Sequence, residues 1–452
     1  MPMHPLTSPH RLWGNASHFD YMAAALRARF PADRLRILVA TSNTGAFTYD
    51  GVERGAERVM REVESALREM MAGGEEEGVL SIVGYSLGGL VARYVVGLLE
   101  WKGWFEKVQP VNFTTFATPH LGVRTPLPGL HNHLWNVVGA RTLSASGRQL
   151  FLTDRFRHTD RPLLSLLADP ASVFVRGLAR FARRAAYANI VNDTASVYYT
   201  TCIAGADPFA DLAKVRLNYL RGYAPVLLDP AAPVAVPSPH DPRPAPAAPP
   251  VAAAAARRLA LALALPLAAL LFLLAAALQS ARSALRIRRH DRGAAAWEWA
   301  GVPLAAAAAV DGVDGAFGGT GADDGGSESG SGADELDGEA LLGGRGGEAL
   351  LGGRGGEGAA AASLSASSSP PSSTSPQAPS PSASGLAFPP LALSPAQRAM
   401  LRTLDALGWA RFPVHIQRSA HSHAAIIVRA RGRKGFEEGE VVVGHWVEGF
   451  VD

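Results

Sequence analysis

The stretch Val79–Val96, VLSIVGYSLGGLVARYVV, sets two apolar runs on either side of Gly84-Tyr85-Ser86-Leu87-Gly88, with Gly89 behind it. The first run, Val79 to Tyr85, has the length and composition of a buried strand, and Gly89 to Leu99 reads as a helix. A serine at that junction sits in a tight strand-to-helix turn, where flanking glycines keep side chains out of the way. The positive end of the following helix also lies beside its hydroxyl, where it favours a developing anion. Ser86 is therefore the candidate nucleophile.

The flanking sequence repeats the same alternation. Leu35–Ala40 (LRILVA) reads as a strand, and Glu53–Met71 as a helix with Val59, Val63, Leu67 and Met70 on one face. A third strand is expected at Val111–Ala117 and a fourth at Ala188–Val191. Alternation of this kind predicts a mostly parallel sheet with crossover helices over residues 1–229. Pro2, Pro5 and Pro9 argue against a buried central strand ahead of His10.

Composition then changes. Residues 230–258 are rich in proline and alanine and are expected to form a linker, because prolines remove backbone donors. Residues 259–290 carry the uncharged run Leu259–Leu278 followed by arginines. Residues 291–393 are rich in Gly, Ser, Ala and Pro and contain EALLGGRGG at Glu339 and again at Glu348. Two copies of so short a unit cannot stack into a solenoid, so a disordered insertion is expected. Order is expected to return over 394–452, where Ser394-Pro-Ala-Gln supplies an N-cap, an N1 proline and a capping-box glutamine. Met400, Leu404 and Leu407 share one side of that helix, a strand is expected at Pro413–Ile416, and the tail from Val441 is apolar enough to pack.

With 452 residues, 48% of them hydrophobic, the chain has ample core material. The single cysteine, Cys202, excludes an intrachain disulfide framework and a cysteine zinc cluster. A net charge of +3 with scattered arginines gives no nucleic-acid footprint. No charged n-region with an h-region opens the sequence, so secretion is not expected.

These segments resemble the putative serine esterase family of lipase-like α/β-hydrolases, which includes fungal lipid-droplet phospholipases. The likeness rests on LWGNASHFDYMAAALRARF from Leu12, SNTGAFTYDGVERGAERV from Ser42, IVGYSLGGLVARYVVGLLE from Ile82, VNFTTFATPHLGVR from Val111, YANIVNDTASVYYT from Tyr187 and HSHAAIIVR from His421. It implies an α/β-hydrolase fold interrupted by the apolar segment and the insertion. It also implies hydrolysis of lipid acyl esters without a metal or organic cofactor. A serine hydroxyl needs an imidazole to take its proton and a carboxylate to orient that imidazole, in the chain order Ser, acid, His. The family's pattern assigns the acid to Asp193, with Asp207 and Asp169 as runners-up. His423 is the expected base, ahead of His421, His415, His445 and His120. His421 and His423 lack a third ligand at zinc spacing. The resemblance assigns the oxyanion amides to Leu12 and Leu87, although the family's His-Gly-Leu reads His10-Arg11-Leu12-Trp13-Gly14 here.

Ser86 and Asp193 precede the apolar run and His423 follows it, so a single bilayer crossing would separate the base from its nucleophile. Pro266 divides the run into arms of about 10 and 18 Å if helical. Arg257 and Arg258 flank it on one side and Arg282, Arg286, Arg288 and Arg289 on the other, so charge gives no orientation bias. A re-entrant or interfacial anchor on the cytosolic face of a membrane, the endoplasmic reticulum or a lipid droplet, is the expectation. A spanning helix in a non-catalytic lipid-binding or scaffolding protein is the rival, and a buried helix or lid the third reading.

Overall fold

Strand β3, Gly78–Tyr85, is buried along nearly its whole length and lies near the centre of a sheet of six strands. The computed structural model describes residues 15–73, 78–126, 136, 144–237, 274, 275, 277–292 and 388–450, and the backbone of 6 and 7. In chain order the sheet and its covering helices are β1 (Leu6–Thr7), α1 (Asp20–Arg29), β2 (Ile37–Leu38), α2 (Val52–Ala72), β3, α3 (Leu87–Trp101), β4 (Val108–Phe116), α4 (Val173–Arg180) and β5 (Arg183–Asn189). A two-stranded antiparallel sheet of β6 (Arg216–Leu217) and β7 (Val234–Ala235) follows. The chain then adds α5 (Pro395–Asp405), β8 (Ala410–Val414) and α6 (Glu437–Glu448).

The main sheet has the order β2-β1-β3-β4-β5-β8, and every pairing in it is parallel. Parallel sheets are covered on both faces, and β3 shows how. Leu80 and Ile82 join the core under α2, α3, α4 and α5, whereas Val83 and Tyr85 join the opposite core under α1 and α6. Helix α3 meets α4 at Gly97 and Gly177. A Cβ on Gly97 would lie 2.1 Å from Phe174 Cδ1, and one on Gly177 would lie 2.8 Å from the Val96 carbonyl.

The N-terminal expectation is corrected. Leu6 and Thr7 pair with Ile37–Leu38 on one side and Ser81–Ile82 on the other, so a short strand does fill that central place. Pro5 and Pro9 fall outside the two paired residues, which keep their N–H groups. Other strand limits move by a few residues. Leu35–Ala40 contributes only Ile37–Leu38, the third strand starts at Val108, the fourth runs over 183–189, and the last runs over 410–414. Arg183 and Arg184 disguise the fourth strand, because its first residue is exposed and only its last four are buried. Pro413 is tolerated in β8 because that strand pairs in the main sheet only with β5.

The C-terminal piece is joined to the first by β8, whose Val414 pairs with Asn189 of β5. The capping box forms as expected: Ser394 Oγ accepts from the Gln397 N–H at 3.2 Å, and Gln397 Oε1 accepts from the Ser394 N–H at 3.1 Å. Gln397 then donates to the carbonyls of Leu121 and Arg124 at 3.2 and 3.1 Å, pinning α5 beside the end of β4.

The expected linker is corrected at its start: Val234–Ala235 pair with Arg216–Leu217, and Pro233 and Pro237 fall outside the paired residues. The linker beyond residue 237, the tandem, and the insertion apart from 291, 292 and 388–393 lie outside the described residues, as does the apolar run except for 274, 275, 277 and 278. No helix among the described residues is long and apolar enough to cross a membrane. Residues 277–292 are helical and rest on the body of the molecule. Arg286, one of the basic residues flanking the apolar run, pairs with the fully buried Asp50 at 2.8 Å, and Arg58 pairs with the same carboxylate at 2.7 Å.

Candidate active site

In an open parallel sheet, functional groups gather beyond the carboxyl ends of the strands. Three of the expected side chains do so here. Ser86 follows the last residue of β3, Asp193 lies four residues past β5, and His423 sits in the helical turn Ser422–Ala425 beyond β8.

Ser86 has φ 55° and ψ −131°, a left-handed conformation that L residues adopt only when their surroundings hold them. The hold is visible on both sides. The Ser86 N–H donates to the Phe116 carbonyl at 2.9 Å, and the Gly89 N–H donates to the Ser86 carbonyl at 3.1 Å. Glycine is required where the turn is tightest: a Cβ on Gly84 would lie 2.4 Å from Gly89 Cα, and one on Gly89 would lie 2.1 Å from Thr118 Oγ1. Leu87 opens α3, so its N–H belongs to the first-turn donors that have no partner within the helix.

His423 Nε2 is 2.9 Å from Ser86 Oγ, and its Nδ1 is 2.8 and 3.0 Å from the two oxygens of Asp193. The histidine and aspartate side chains are 6% and 2% exposed, so water barely competes for these bonds. Asp193 also accepts from Asn189 Nδ2 at 2.9 Å and from the N–H groups of Ala195 and Ser196 at 3.0 and 2.8 Å. Burial works against its charge, but the facing His423, the Asn189 amide and the Ser196 N–H outweigh burial and hold the carboxyl below its usual range. The imidazole is aimed by its own neighbours. Tyr85 donates its hydroxyl to the His423 carbonyl at 2.7 Å, and Ser422 Oγ donates to the Val191 carbonyl at 2.8 Å.

The remaining candidates lie elsewhere. His421 is exposed at the start of the turn. His415 meets the Tyr219 hydroxyl, and His445 the Tyr187 hydroxyl, each at 2.8 Å; burial lowers the pKa of both imidazoles. His120 is fully buried, 3.0 Å from Thr115 Oγ1, and burial with nearby Arg93 pushes its pKa well below the usual range. Asp169 pairs with Arg161 at 2.6 Å, and Asp207 accepts from the Phe209 N–H at 3.0 Å. Leu12 lies outside the described residues. No group of His, Cys, Asp and Glu able to hold a metal occurs among the described residues.

Sequence reasoning missed the supports: Tyr85, Asn189, Ser422 and Arg93. Tyr85 and Asn189 sit inside the quoted motifs, but only folding shows what their polar ends touch. Arg93, 1% exposed, donates to the carbonyls of His120 at 3.3 Å and Leu167 at 2.7 Å, which fixes the loop carrying Thr118. Burial lowers its pKa to about 9.

Known proteins share part of this sequence. Residues 3–206 match the family described as "Putative serine esterase (DUF676)". Two Saccharomyces cerevisiae proteins named "Putative lipase YDL109C" and "Putative lipase ROG1" are 34% identical over 155 residues and 32% identical over 160. Each match takes in 34% of this chain but only 22% of the yeast protein, so the chain spans about a fifth of these relatives' length. An "Alpha/beta hydrolase fold protein from Nakamurella multipartita" aligns over 46% of this chain and 81% of its own, with 14% identity and a TM-score of 0.24. So low a score carries no argument, and the fold rests on the parallel strand order and the serine turn between β3 and α3. Through residues 3–206 the chain is similar to the putative serine esterases, and its parallel strand order and serine turn are those of an α/β-hydrolase fold.

Proposed function

We propose that this chain hydrolyses acyl esters of glycerolipids or phospholipids at a membrane or lipid-droplet surface, through an acyl-serine intermediate. The observation that carries the proposal is the unbroken line from Ser86 Oγ to His423 Nε2 at 2.9 Å and from His423 Nδ1 to Asp193 at 2.8 Å. Ser86 attacks the ester carbonyl while His423 takes its proton at Nε2. The resulting imidazolium donates its Nδ1–H to Asp193, whose depressed pKa keeps it charged. The tetrahedral oxyanion is met by the Leu87 N–H at the positive end of α3, with Leu12 assigned the second donor by family resemblance. His423 then returns the proton to the leaving alcohol, and water repeats the sequence to release the fatty acid. The lipid nature of the ester is supported by the names of the yeast relatives and by the apolar run Leu259–Leu278.

A fluorophosphonate probe tests the proposal. The chain is expected to be labelled and Ser86→Ala to remain unlabelled, with hydrolysis of a short-chain soluble ester lost in parallel. Equal labelling of Ser86→Ala, or no labelling of the parent chain, refutes it, the latter in favour of a non-catalytic lipid-binding protein.

A further inference from the structure

The helical stretch 277–292 has two unlike sides. At about 100° per residue, Ser283, Arg286 and His290 project together. Ser283, 1% exposed, donates its hydroxyl to Asp50 Oδ1 at 2.7 Å. Arg286 donates to the same carboxylate and to the Ala46 carbonyl, both at 2.8 Å. His290 lies 3.3 Å from Glu57, and neighbouring Asp291 pairs with Arg54 at 2.9 Å. Asp50 and Ala46 belong to the segment between β2 and the N-terminus of α2, so the helix is bonded to the rim at the carboxyl ends of the strands. Ser86 and His423 open onto that same rim.

On the other side Leu278 and Leu285 project within about 20° of each other, with Arg282, Arg289 and Arg292 within about 40° of Leu278. Leu274, one turn before Leu278, is 59% exposed, Leu278 is 52% and Leu285 is 56% exposed. Arg282, Arg288, Arg289 and Arg292 are exposed and form no ion pair with another described residue. Asp291 is the sole carboxylate of 277–292, and Arg54 already holds it. Leucines at the middle of an exposed helical face, bordered by exposed arginines, are the composition of a helix lying in the plane of a lipid interface.

We infer that the helix 277–292 is an interfacial strap, bonded to the hydrolase rim through Ser283, Arg286 and Asp291 and laying its leucine–arginine face on an anionic lipid layer. The inference rests on the lipid-ester reading above and adds what turns the catalytic end of the sheet toward the lipid. Arginine near an anionic surface gains about 1 kcal/mol, roughly fivefold in partitioning per side chain. Phe47, 44% exposed and 5.4 Å from the Arg286 guanidinium, extends the apolar part of the rim.

The full chain is sedimented with phosphatidylcholine vesicles, with and without phosphatidylserine. Binding is expected to require phosphatidylserine and to weaken roughly a hundredfold in the triple variant Arg282→Gln, Arg288→Gln, Arg289→Gln. That variant is expected to hydrolyse a soluble short-chain ester at the parent rate. A polarity-sensitive fluorophore at Leu285→Cys is expected to shift to the blue on the anionic vesicles; the native Cys202 is buried and does not compete. Unchanged binding by the triple variant, equal binding to both vesicles, or no shift at position 285 overturns the strap. If neither chain hydrolyses the soluble ester while binding behaves as expected, the esterase reading fails and the strap stands.

Discussion

Replacing Gly84 by alanine tests whether the serine turn depends on close approach of backbone to backbone. The added Cβ would lie 2.4 Å from Gly89 Cα, 2.8 Å from Gly89 N and 3.2 Å from the Gly88 carbonyl carbon. Carbon atoms pack at about 3.5–4.0 Å, so the first turn of α3 must retreat from β3 by roughly 1 Å. No flexible side chain can absorb that movement, because every obstructing atom is backbone. Ser86 lies between the two glycines, so its Oγ moves relative to His423 Nε2. A misplacement of about 1 Å typically costs a hundredfold in rate, and overpacking of this kind costs about 1–3 kcal/mol. The expected variant is therefore folded, with Tm lowered by roughly 2–12 °C and kcat on a soluble ester down about a hundredfold. Gly444→Ala is the control: the glycine lies inside α6, and an added Cβ meets nothing within 4 Å. It is expected to raise stability by about 0.5–1 kcal/mol and leave turnover unchanged. Thermal unfolding, fluorophosphonate labelling rate and ester turnover are measured on all three chains. Parent-like turnover and Tm in Gly84→Ala would show that the turn is not limited by this contact.

Asp193→Asn keeps the shape of the site but not the charge that orients and stabilises His423, so kcat is expected to fall about 10⁴-fold. Because Asp193 has a lowered folded-state pKa, its contribution is present above about pH 4 and lost as acidification passes the folded value. Unfolding followed from pH 6 to pH 2 should therefore show the parent losing more stability than the variant. Glu57 behaves in the opposite sense: burial, then neighbouring Glu53, raise its pKa from 4.5 to about 7. The folded state holds the extra proton, so stability falls as pH rises from about 4.5 through 7, and Glu57→Gln should gain on the parent at pH 8 but not at pH 4. Asp50 is fully buried between Arg58 and Arg286. Asp50→Ala strands both guanidiniums and should cost about 3–5 kcal/mol in urea denaturation, whereas Arg286→Gln, which leaves the Arg58 pair intact, should cost less.

Where the sequence was legible, the signal was local. The serine turn could be read because VLSIV and GGLVARYVV declare their periods within a few residues on either side of Ser86. The Ser394 capping box could be read for the same reason, since all its partners lie within four residues. The first strand was not legible, because Pro2, Pro5 and Pro9 dominate its composition while only Leu6 and Thr7 need ladder donors. The start of the fourth strand was hidden by Arg183 and Arg184, whose side chains leave the sheet for carbonyls: Arg183 donates to Gly449 at 3.2 Å and Arg184 to Leu407 at 2.7 Å.

By itself, then, the sequence determined the alternating parallel architecture and the serine at its turn, since hydrophobic period and backbone sterics are set by near neighbours. Only the tertiary structure decided which histidine meets that serine. His421 and His423 are two residues apart, yet the helical turn beyond β8 exposes one and delivers the other to 2.9 Å from Ser86 Oγ. It also decided that Arg286 belongs to Asp50, a partner 236 positions away. Contacts at such separations depend on strand register and helix docking, which no window along the chain contains.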